Sequence, residues 1–79
     1  MGLAKTEEEL GNKIKTFLRA KVAESDLTYE DLAKEMKKHG LRETKASVTN
    51  KLARGTFPAT FLLGALAALE MEGLRLEDL

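Results

Sequence analysis

The chain has 79 residues, no cysteine, one histidine, and 13 basic against 13 acidic side chains, so its formal net charge is zero. That length predicts one domain, residues 1–79, with a small core. The composition excludes a disulfide- or thiolate-stapled fold and a globally basic nucleic-acid binder, and fits a reducing, cytoplasmic setting.

The N-terminus "MGLAKTEEEL" has no long apolar run and turns acidic at once, so no secretory signal is read. Gly2 and Thr6 match a loose myristoylation pattern, but no basic or acylatable neighbours support a second anchor. Residues 1–6 are expected to be disordered. Leu10, Ile14, Phe17, Leu18 and Val22 then recur at the three-and-four spacing of one helix face. They predict a first helix over Glu7 to Ser25, with Glu7, Glu8 and Glu9 at the positive end of its dipole. Thr6 is its cap and Glu9 the partner in a capping box. Gly11 inside this helix costs about 1 kcal/mol against alanine.

A second helix begins after Thr28, with Asp31 at the reciprocal capping position and Leu27 and Leu32 spaced as a hydrophobic staple. Leu32, Ala33 and Met36 form its buried stripe. His39 and Gly40 end it, and Gly40 is suited to a left-handed backbone. "LRET" (Leu41 to Thr44) is a turn. Thr44 caps a third helix with Val48 and Leu52 on one face, ending at Gly55. Pro58 starts a fourth helix, expected to run to Glu72 and stop at Gly73. The tail "LRLEDL" adds a short turn whose leucines pack back on the core. No strand pattern or repeat is present. The fold class is all-α: a compact bundle of four helices plus a short C-terminal turn.

Enzyme chemistry has little to stand on. His39 suits a helix C-terminus, where a cation meets the dipole. The ligands of a zinc site are missing, and so is a Gly-rich phosphate loop. Ser25 and Ser47 have no base at useful spacing. The expectation is a non-enzyme with no cofactor, no metal and no small-molecule substrate. The run "GTFPATFLLGALAAL" is interrupted and too short to span a bilayer, so no membrane partner is expected.

Charge is the informative feature. From Ala33 to Gly55, Lys34, Lys37, Lys38, Arg42, Lys45, Lys51 and Arg54 face only Glu35 and Glu43, a net +5. The first twelve residues are net −2 and residues 70–79 net −3. Positive charge concentrated there can neutralise phosphates; a solvated lysine face would look similar. The third helix adds Thr44, Lys45, Ser47, Thr49, Asn50, Lys51 and Arg54 around two apolar positions. Hydroxyls, an amide and long cations are the groups that bond phosphates and base edges. Ser, Thr and Asn are poor helix formers, so their density points to a functional face.

"YEDLAKEM", a Gly-containing turn, then "SVTNKLARGTFPATFLLGALAALEMEGLRLEDL" resemble the lambda-repressor-like helix-turn-helix superfamily. Leu32 and Ala33 match the Leu-Ala pair of its first motif helix. Arg54 and Gly55 match the end of its recognition helix. A Pro-initiated apolar helix and a closing Asp78-Leu79 follow. "LTYEDLA" and "NKLARGTFPATF" are closest to a small bacterial domain family of uncharacterised function near that superfamily. The resemblance covers about Leu10 to Leu79. The chain departs from the pattern by a longer second helix and a longer turn.

What the resemblance implies is a small bacterial transcriptional regulator that binds double-stranded DNA, with the third helix in the major groove. Thr44, Lys45, Ser47, Thr49 and Asn50 would meet bases and backbone. Lys37, Lys38, Arg42, Lys51 and Arg54 would hold phosphates. The fourth helix is apolar on almost every face, which predicts burial or a homodimer interface through Phe57, Phe61, Leu62, Leu66 and Leu69, with Gly64 allowing close approach. The alternative is a protein-interaction adaptor or dimerisation module that keeps the scaffold without DNA binding. An RNA-binding module is disfavoured by the lack of aromatics for base stacking.

Overall fold

The computed structural model describes residues 5–79. Gly2 of the myristoylation pattern, and residues 1–4 of the segment expected to be disordered, lie outside the described residues. Lys5 and Thr6 belong to the cap of the first helix. The elements are α1 (Glu7–Glu24), α2 (Tyr29–Lys37), α3 (Lys45–Arg54), α4 (Ala59–Ala68) and a single 3-10 turn, Leu76–Asp78. No strand occurs among the described residues. The fold is therefore all-helical.

Each of the first three helices begins where a threonine can satisfy a free backbone N–H. The Thr6 hydroxyl accepts from the Glu9 N–H at 3.1 Å. The Glu9 carboxylate reaches past Thr6 and accepts from the Lys5 N–H at 2.9 Å, instead of closing the reciprocal box. Thr28 and Asp31 do close one, at 3.0 and 3.2 Å. Thr44 closes another with Ser47. α2 ends in a Schellman closure. Gly40 is left-handed (φ 87°), its N–H donates to the Lys37 carbonyl, and the Leu41 N–H donates to the Met36 carbonyl.

α4 is shorter than its composition predicts. It stops at Ala68, and Gly73 plays no part. Glu70 takes the left-handed conformation (φ 60°), and the Met71 N–H returns to the Leu66 carbonyl at 2.9 Å. The cause is packing. Met71 and Leu74 lie against the core, which a continued helix would carry them past. Of the tail leucines, Leu74 packs inward, but Leu76 is 59% exposed.

The core joins all four helices: Leu18 and Val22; Leu32, Ala33 and Met36; Val48 and Leu52; Phe61, Ala65, Leu66 and Ala68. α2 packs on both α3 and α4, and α1 packs on α3. Two glycines set that last contact. A Cβ on Gly11 would lie 2.6 Å from the Gly55 carbonyl oxygen, so α1 meets the end of α3 backbone to backbone. Gly64 meets Leu41 of the α2–α3 turn, not α1. A Cβ there would lie 2.7 Å from both Leu41 methyls.

Phe61 and Leu66, expected in a dimer interface, are 1% and 5% exposed within the single chain. Two of the five proposed interface residues are thus core residues. Phe57, Leu62 and Leu69 are half-buried against the same core, with Phe57 and Phe61 rings 4.8 Å apart. The large apolar side chain that α4 does present to solvent is Leu63, 64% exposed. Among the described residues no helix is long and apolar enough to cross a membrane.

Candidate nucleic-acid interface

α3 buries Val48 and Leu52 and turns Lys45, Ala46, Thr49, Asn50, Ala53 and Arg54 outward. This follows from the apolar spacing of four, which commits one stripe of a short helix to the core and frees the opposite one. α2 backs that helix, and the turn from Lys38 to Thr44 leads into its N-terminus.

Not every polar residue of α3 is free. Thr44 and Ser47 occupy each other. The Thr44 N–H donates to Ser47 Oγ at 2.8 Å, and the Ser47 N–H donates to Thr44 Oγ1 at 3.1 Å. The Thr49 hydroxyl donates to the Lys45 carbonyl one turn back, at 2.7 Å. These bonds explain much of the hydroxyl density that looked costly in sequence: the hydroxyls cap and brace the helix. Asn50 is exposed on the outer face.

Lys51 is withdrawn from the proposed phosphate contacts by its surroundings. Its ammonium lies 2.7 Å from Glu43 Oε2 and 5.1 Å from the centre of the Phe61 ring. The Glu43 side chain is 7% exposed and also accepts from the Ser47 hydroxyl at 2.6 Å. Glu43, Ser47 and Lys51 thus tie the first turn of α3 to its middle and to α4. Sequence reading missed Glu43 because it sits among turn residues. The only available signal was a lone acid eight positions before a lysine in a basic segment.

The remaining cations form two groups. Lys37, Lys38, Arg42 and Lys45 are exposed at the end of α2, in the turn, and at the start of α3. Only Lys38 among them has an ion pair, with Glu35 at 3.1 Å, exposed and weak. Arg54 lies at the opposite end of α3. It lines an open groove with Glu7, Glu8, Gly11, Asn12, Gly55 and Thr56, where carboxylates oppose an anionic ligand.

α3 also differs electrostatically from the two helices before it. α1 starts with three glutamates and α2 with Glu30 and Asp31, while α3 has no acid in its first turn. Its first residue is Lys45. Helix N-termini favour negative charge, so a lysine there works against the dipole and in favour of an incoming anion. At α2 the usual arrangement holds. The Asp31 carboxyl is kept below its ordinary value, first by the Thr28 N–H, then by the Thr28 hydroxyl, with a smaller contribution from Lys34.

One further part of this face was not read from the sequence. Arg19 of α1 and Tyr29 at the start of α2 border a small cleft of about 130 Å³ beside α3, together with Thr49, Leu52 and Ala53. Among the described residues there is no cluster of three or more His, Cys, Asp or Glu side chains able to hold a metal ion.

A small all-helical domain with a helical pair carrying a basic, partly unpartnered end is the class that fold and site define. Residues 10–74 match the family described as a domain of unknown function (DUF6471), and the chain belongs to that family. No curated protein and no solved structure matches it.

Proposed function

We propose that this protein is a helix-turn-helix DNA-binding domain of a small bacterial transcriptional regulator, acting in the cytoplasm at the nucleoid, with α2 and α3 as the motif and α3 presented to the major groove. The observation that carries this reading is the N-terminal end of α3. Lys45 and Arg42 stand there exposed, Lys37 and Lys38 precede them at the end of α2, and the one nearby acid, Glu43, is taken up by Lys51 and Ser47. The sequence resemblance to lambda-repressor-like domains supports the same reading. Asn50 and Thr49 on the outer face supply groups suited to base edges. Lys51 and Ser47 serve the fold, and Arg54 is a weaker phosphate contact than its charge implies.

The test is DNA affinity measured against salt. Replacing both Arg42 and Lys45 by alanine is expected to weaken binding to duplex DNA and lower the log–log salt slope by about two, because each phosphate contact contributes about 0.9. An unchanged slope would remove this end of α3 from the interface. Asn50→Ala should change preference among sequences more than nonspecific affinity.

The second reading is a protein-interaction or dimerisation module, and Leu63 favours it. This leucine is 64% exposed on α4 and gives a second chain an apolar side chain to cover. DNA binding through α3 and association through α4 are compatible, because paired half-sites multiply modest affinity.

A further inference from the structure

We infer that the cleft bordered by Arg19 and Tyr29 holds a sugar–phosphate segment of the bound DNA strand, so that α1 and the start of α2 extend the contact made by α3. This rests on the DNA-binding reading and adds two residues to it. The cleft encloses about 130 Å³ and has Thr49, Leu52 and Ala53 as its α3 wall, the helix that would enter the groove. Anything bound along the outer face of α3 passes this opening.

The cleft's chemistry suits a sugar and its phosphate. Leu52 and Ala53 give the cleft an apolar side, and the residues on its border carry a guanidinium, a phenol and the Thr49 hydroxyl. No carboxylate lines it among the described residues. Arg19 is exposed, and none of the four ion pairs of the described residues involves it. Its neighbours one turn away on α1 are Lys15, Thr16, Val22 and Ala23, so no acid sits at helical-pair spacing to neutralise it. A guanidinium gives a phosphate two parallel donors, and a phenol gives one. An arginine left unpaired beside a small apolar recess is wasted on a solvated face and suited to a backbone phosphate.

The experiment is fluorescence anisotropy of a labelled random-sequence duplex, titrated with the full chain over a range of salt. Arg19→Gln keeps the stem and removes the charge. Arg19→Lys keeps the charge, and Tyr29→Phe removes one hydroxyl. Arg19→Gln is expected to weaken binding several-fold and lower the salt slope by about one, while Arg19→Lys keeps the slope. Tyr29→Phe should weaken binding with the slope unchanged. The thermal midpoint and helical circular dichroism of each variant should match the parent, since Arg19 is exposed and phenylalanine keeps the ring that Tyr29 packs against the core.

If Arg19→Gln binds as the parent does while the Arg42/Lys45 double variant is weakened, the cleft contact is wrong and the α3 reading stands. If the parent chain shows no salt-dependent DNA binding, the α3 reading falls and takes this inference with it.

Discussion

Glu70 holds a left-handed backbone (φ 60°) at the end of α4, a conformation in which a Cβ crowds the following carbonyl. It does so because Met71 must turn back onto the core. Glu70→Gly is therefore expected to stabilise the fold by about 1 kcal/mol, the relief of strain outweighing the added freedom of the unfolded chain. Urea denaturation measures this, and a loss of stability would show that the glutamate side chain makes a contact worth more than the strain. Asp31 carries a pH prediction. Its folded pKa lies below the ordinary 3.8, so the carboxylate form is favoured by folding. That contribution is present at neutral pH and is lost as pH falls through the ordinary value toward the depressed one. Asp31→Asn should be less stable than the parent at pH 7, with the two stability curves converging in acid. A difference independent of pH would assign the effect to geometry and not to charge. Residue-scale signals were legible where the backbone itself sets the rule: Thr28 and Thr44 as caps, Gly40 as a left-handed end and Gly55 as the stop of α3. Glu70 was not legible, because its conformation is imposed by where Met71 and Leu74 pack. The Glu43–Lys51 pair was hidden for a similar reason. It depends on how the turn folds back along α3, and no local pattern encodes that.

At the scale of elements, helix number and order followed from apolar spacing, and α1 to α3 begin and end close to the positions their caps dictate. α4 did not follow, since a segment apolar on all faces has no phase to mark its end. The same feature hid which side is covered. Phe61, Ala65, Leu66 and Ala68 go into the core and Leu63 stays out. Gly11 looked like a liability within α1, but it is the point where α1 touches α3. Its absent side chain lets the helix backbone approach the Gly55 carbonyl. Gly11→Ala should consequently destabilise by about 1–3 kcal/mol despite alanine's better helix propensity, because backbone atoms cannot swing aside as a side chain could. Stability measured by denaturant, with amide shifts spreading from α1 into the end of α3, checks this. A gain in stability would mean that the two helices separate without cost.

For the whole molecule, the division of charge is what the proposed function rests on. The chain is neutral, yet its acids cap α1 and α2 and fill the tail while exposed cations gather where α2 hands over to α3. The asymmetry was legible in the sequence, but which of the polar side chains are already engaged within the fold was not. Five of the ten residues it named (Lys38, Thr44, Ser47, Thr49 and Lys51) make bonds within the protein, and Arg54 shares its groove with glutamates. Arg19, proposed above as a further contact, had no local signal, because it lies on another helix and comes beside α3 only through the packing of α1 on α3. α3 has ten residues and so spans about 15 Å, enough to lie in one major groove with its basic end toward a flanking phosphate row. The most direct test is an amide-resolved NMR titration with a random duplex at low and at moderate salt. Shifts centred on Arg42, Lys45, Thr49 and Asn50 that shrink as salt rises are the expected result. Shifts absent at low salt, or centred on Leu63 and α4 instead, would contradict a DNA-binding face on α3.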